Sequence, residues 1–183
     1  MKKLMMAAVV AMLGIAANAA ACSWEVDTVY SFVGPTAVSS STATDYLTYF
    51  VNADAYSVSK ATTAISGGDL TFLSDTTKAW AGDTLDDGYA SGTAGVGVWG
   101  ASETVNGYLV ILNSDDIDNA TYAYISSVES GTTSALGGNA QISFGDLDGS
   151  ASGANWTAVP EPTSGLLLVV GGALLALRRR RLA

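Results

Sequence analysis

The chain has 183 residues, nearly half of them hydrophobic, with eight Lys and Arg against 17 Asp and Glu, a length that supports one domain with its own core. Six of the basic residues are Lys2, Lys3, Arg178, Arg179, Arg180 and Arg181, so between Cys22 and Val159 two lysines face 16 acids for a net charge of −14. Such a body repels phosphate backbones and excludes nucleic acid as a partner; the lack of histidine excludes Ser-His-Asp and Cys-His catalysis and His-ligated zinc.

The first 21 residues read as a secretory signal peptide: basic Lys2-Lys3, an apolar run from Leu4 to Ala17, then small residues to Ala21. Fourteen apolar residues span about 21 Å as a helix, short of the roughly 30 Å hydrocarbon core. Cleavage after Ala19 and cleavage after Ala21 both satisfy the small-x-small requirement. The implied partners are the export machinery and signal peptidase. Cys22, the single cysteine, is a candidate for acylation at a new N-terminus, although Ala19 stands where lipoprotein signals resemble one another in having leucine. One cysteine forms no internal disulfide, so the exported fold rests on packing.

Residues 22–158 form the body, where short apolar and aromatic runs alternate with Gly, Ser, Thr, Asn and Asp clusters. This texture predicts strands joined by turns at Trp24 to Phe32, Tyr46 to Val51, Leu70 to Leu73, Gly95 to Trp99, Tyr108 to Leu112, Tyr122 to Val128 and Ala140 to Phe144. The runs at 46–51 and 108–112 are rich enough in β-branched and aromatic residues to be central strands. Ala53 to Ile65 is ambiguous: its alanines tolerate a helix, and its Ser and Thr weaken that reading. The expected fold is mainly β, a single antiparallel β-sandwich or barrel-like domain. Residues 46–66 and 108–126 share a pattern of strand, Asn-small-Asp and a second apolar segment. It reads equally well as a duplicated unit or as coincidence in an Ala/Ser/Thr-rich chain.

Candidate chemistry in the body is sparse. Calcium prefers six to eight oxygens, and its weak candidate ligands are Asp83, Asp86, Asp87, Asp146 and Asp148; the cluster Asp115 to Asn119 is interrupted by Ile117. No other cofactor is expected. A carboxylate-based glycoside hydrolase requires two suitably spaced acids, and no pair stands out, so no catalytic residue is assigned. The four tryptophans, Trp24, Trp80, Trp99 and Trp156, are expected mainly in the core; exposed, they would offer stacking faces for a carbohydrate-binding module.

The last segment, residues 159–183, carries Val159-Pro160-Glu161-Pro162-Thr163-Ser164, an apolar run from Gly165 to Leu177 and Arg178 to Arg181. This tail resembles the PEP-CTERM sorting signal. Two prolines keep the motif extended and accessible, and the arginines hold the cytoplasmic side. Thirteen apolar residues reach only about 20 Å, too short for a comfortable permanent anchor. The resemblance implies a transient membrane helix recognised through Pro160, Glu161 and Pro162 and removed by an exosortase. It further implies an exported protein of the cell envelope, cell surface or extracellular matrix, structural or adhesive in role and associated with extracellular polysaccharide.

Overall fold

A computed structural model describes residues 20–27, 46–85, 89–145, 147 and 156–160. They build a mainly β body from nine strands: β1 (Ala20–Asp27), β2 (Thr48–Asn52), β3 (Ala79–Ala81), β4 (Tyr89–Trp99), β5 (Thr104–Leu112), β6 (Tyr122–Ile125), β7 (Glu129–Thr132), β8 (Ala140–Phe144) and β9 (Trp156–Ala158). The helix α1 (Val58–Ser66) and 3-10 turns at Thr71–Ser74 and Ile117–Asn119 complete it.

The strands form two open sheets. One has three strands in the order β4-β1-β8; the other follows β3-β2-β5-β6-β9, with β7 also paired to β5. Neither closes into a barrel. The expectation of wholly antiparallel pairing is corrected at one place: β1 runs antiparallel to β4 but parallel to β8, with Cys22 opposite Ala140 and Val26 opposite Phe144.

Side-chain alternation explains how the sheets stack. Cys22, Trp24 and Val26 from β1, Ala90, Ala94 and Trp99 from β4, and Ala140, Ile142 and Phe144 from β8 share one core with Phe50, Val105, Leu109, Ile111 and Tyr124 of the larger sheet. The Phe50 ring centroid lies 6.4 Å from that of Trp24 and 6.2 Å from that of Phe144, so aromatic packing joins the two sheets directly. The larger sheet turns its other face, including Val51, Tyr108, Val110 and Leu112, toward Ala61 and Ile65 of α1 and toward Phe72 and Leu73. Its central strand is therefore covered twice, and residues from Tyr108 to Leu112 are all fully buried. A continuous apolar run is what such a strand requires.

Helix α1 resolves the ambiguous segment. Ala61 and Ile65, four residues apart, face the sheet, and burying an Ile side chain contributes about 1.5 to 3 kcal/mol. The hydroxyls of Thr62 and Thr63 donate to the carbonyls of Val58 and Ser59 at 2.9 Å each, so they satisfy themselves within the helix.

Three further corrections follow from local packing. The strand expected at Leu70 to Leu73 gives way to a 3-10 turn at Thr71–Ser74: the Asp69 carboxylate accepts from the Thr71 N–H at 3.0 Å, and Phe72 and Leu73 are buried within the turn. The strand expected to Val128 stops at Ile125, where Ser126 turns its hydroxyl back onto the sheet. The second halves of the 46–66 and 108–126 segments differ, being a helix in the first and a strand in the second.

The described residues reach into both segments read as signals. β1 begins at Ala20, inside the segment read as a signal. At the other end Val159 donates its N–H to the Thr121 carbonyl at 2.8 Å, and Pro160 lies beside Gly68 at the end of α1. Among the described residues no helix is long and apolar enough to cross a membrane. The apolar runs at 4–17 and 165–177, Ala19, Glu161, Pro162 and Arg178 to Arg181 lie outside the described residues.

Candidate functional site

The alternation that sends Cys22, Trp24 and Val26 inward leaves Ser23 and Glu25 on the outer face of the three-stranded sheet. Strand register then sets their neighbours. Ser23 lies between Thr93 and Gln141, and Glu25 between Ser91 and Ser143. These two polar rows line a shallow cleft of about 540 Å³, its middle row being Gly92, Trp24 and Ile142, with Asp83 at its margin.

Asp83 is fastened to the edge strand of that sheet. Its N–H donates to the Ser91 carbonyl at 2.8 Å, and the Ser91 hydroxyl donates to its carboxylate at 3.0 Å. The Thr48 hydroxyl donates to the Asp83 carbonyl, tying this margin to β2. At another point Asn139 donates its side-chain N–H to the Ser23 hydroxyl at 3.2 Å and accepts the Ala21 N–H at 3.2 Å. The cleft thus offers hydroxyls, an amide and two carboxylates on a scaffold of paired backbone. Such a surface suits a hydroxylated or cationic ligand through hydrogen bonds.

Beneath the cleft the indole of Trp24 fills the space that side chains on Gly82 and Gly92 would need; a Cβ on residue 92 would stand 2.8 Å from its ring. Trp24 and Trp99 are buried, and Trp80 and Trp156 are partly buried against the same core. Trp80 and Trp99 lie 5.6 Å apart by centroid, and Trp156 meets Tyr124 at 5.5 Å. All four tryptophans therefore serve packing, as the sequence led us to expect, and none lines the cleft by an exposed ring.

Of the calcium candidates, Asp83 carries the hydrogen bonds just given, while Asp86, Asp87, Asp146 and Asp148 lie outside the described residues. Asp116 in the neighbouring acidic cluster caps a 3-10 turn: its carboxylate accepts the Asp118 N–H at 3.0 Å and the Asn119 amide at 2.9 Å. No group of three or more Cys, Asp or Glu converges among the described residues. Among the described residues two carboxyls have displaced titration, both downward. Lys78 and Thr77 hold the Asp75 carboxyl well below the usual range, and hydrogen bonds from Thr71 lower Asp69.

Cys22 is fully buried in mid-strand, between Ala94 and Ala140. Burial pushes its thiol up to about 12. Gln141, Ser91 and Thr93 were not foreseen as site residues. Only the polar member of each strand's alternation marks them, and that signal acquires meaning once three distant strands are aligned.

Comparison of the chain with family models, curated proteins and solved structures finds no match.

Proposed function

We propose that this is an exported cell-surface or extracellular-matrix protein, delivered through an N-terminal signal peptide and a C-terminal Pro-Glu-Pro sorting tail that an exosortase-type membrane enzyme removes. The acidic β body is then the delivered cargo, with a structural or adhesive role beside extracellular polysaccharide. The observation carrying this reading is the tail itself. Its motif, its short apolar run and its four arginines follow in order, and the motif begins where the body ends, with Val159 still hydrogen-bonded to Thr121. A handle placed there can be cut without disturbing a strand. Mass spectrometry of the exported protein tests it: the expected result is no peptide containing Arg178 to Arg181. An intact tail overturns processing and favours a permanent anchor.

The polar cleft favours carbohydrate binding as a second reading, since its hydroxyl, amide and carboxylate groups match those that hold sugar hydroxyls. Calorimetric titration with cell-envelope polysaccharide should release heat that Glu25→Ala and Gln141→Ala each reduce. A flat titration removes this reading.

A further inference from the structure

We propose that the signal is cut after Ala19, not after Ala21, and that Cys22 remains an unmodified core thiol. This rests on the signal-peptide reading above and chooses between two bonds that the sequence leaves equivalent.

The choice follows from what each cut removes. Ala20 pairs with Trp99 and is fully buried. Ala21 is 4% exposed and gives its N–H to Asn139 at 3.2 Å, the same asparagine whose amide reaches Ser23. A cut after Ala21 deletes both alanines, leaves the Asn139 carbonyl oxygen without that donor and strips the end of β4 of its partner.

Acylation fails for a related reason. The side chain of Cys22 lies inside the core with Ala94 and Ala140, themselves fully buried, as its cross-strand neighbours. Alanine neighbours define a space for a small side chain, and close-packed interiors do not admit a diacylglyceryl group. Starting at Ala20, by contrast, the chain keeps every described pairing of β1.

Intact mass and N-terminal sequencing of the exported protein test the proposal. The expected chain starts Ala-Ala-Cys and carries no added mass on Cys22. A chain starting at Cys22, with or without lipid, or any other start, overturns it. Retention of Met1 overturns the signal reading as well, so the two failures are distinguishable.

Discussion

The tip of the Phe50 ring occupies the space that a side chain on Gly107 would need: a Cβ placed there would stand 2.0 Å from Phe50 Cζ. The two residues sit on paired strands of the larger sheet, and Phe50 is held in turn by Trp24, Trp80 and Phe144. These three rings restrict how far the Phe50 ring can shift. Gly107→Ala should lower stability by about 1 to 3 kcal/mol through overpacking, read as a lower urea midpoint. Gly145→Ala, where a Cβ meets nothing within 4 Å, should stay within about 0.5 kcal/mol of the parent. Equal effects at the two positions would refute the packing argument.

Ser126 completes a ladder that the backbone leaves open. Its hydroxyl oxygen accepts the Leu109 N–H at 2.8 Å while its proton goes to the Ser127 carbonyl at 2.8 Å, between the stretches of β5 paired to β7 and to β6. Ser126→Ala should orphan a buried donor at a cost of about 1 to 3 kcal/mol. Amide exchange at Leu109 should accelerate together with the fall in midpoint; unchanged protection would disprove the role.

The folded body should lose stability in alkali through Cys22. Its thiol ionises from an ordinary value of 9.0 in the unfolded chain but is raised to about 12 by burial in the fold. Below pH 9 both states are protonated and the contribution is complete; between 9 and 12 the unfolded state alone releases its proton, so stability declines as pH rises. Cys22→Ala should flatten that limb in denaturant titrations at pH 8 to 11. Native protein at pH 8 should resist iodoacetamide and react fully in urea.

At acid pH the sign reverses. Lys78 Nζ lies 2.6 Å from the Asp75 carboxylate, which also accepts from the Thr77 hydroxyl at 2.6 Å and N–H at 3.0 Å. The folded carboxyl therefore ionises below its unfolded value of about 3.9, and its contribution, complete above that value, is lost as pH falls. Lys78→Met should move the Asp75 carbon resonance titration upward, because Lys78 is the largest cause of the shift. A titration unmoved by the substitution would assign the effect to Thr77 alone.

How much of this could be read from residue order depended on which signal each element carries. β8, Ala-Gln-Ile-Ser-Phe, alternates buried and exposed along its length, and its predicted bounds coincide with the strand. β5 was legible as a central strand because its apolar run is continuous. β7, Glu-Ser-Gly-Thr, has no apolar face and is held by backbone pairing to β5, so no side-chain pattern could reveal it. The similarity of the segments at 46–66 and 108–126 ends at their asparagines. Asn52 accepts from Asp54 two residues on, whereas Asn113 accepts from Thr121 and Tyr122, sending the chain into a helix in one case and a strand in the other. The cleft was illegible for a different reason: its rows exist only after β1, β4 and β8 come together.

That central position of β1 governs when the body can fold. Among the described strands the first in the chain is the middle strand of its sheet; one partner, Tyr89–Trp99, lies midway along the body and the other, Ala140–Phe144, near its far end. The antiparallel partner is available halfway along the body, but the sheet is complete only once Ala140–Phe144 joins it. Long-range parallel pairing is intrinsically slow, so the β1–β8 pairing delays completion of this sheet. Refolding monitored by Trp24, Trp80 and Trp99 fluorescence should accordingly fall in the millisecond-to-second range of nonlocal β proteins; a microsecond phase carrying the full amplitude would contradict this. If the chain is exported as proposed, late completion of this sheet would suit passage through a narrow channel.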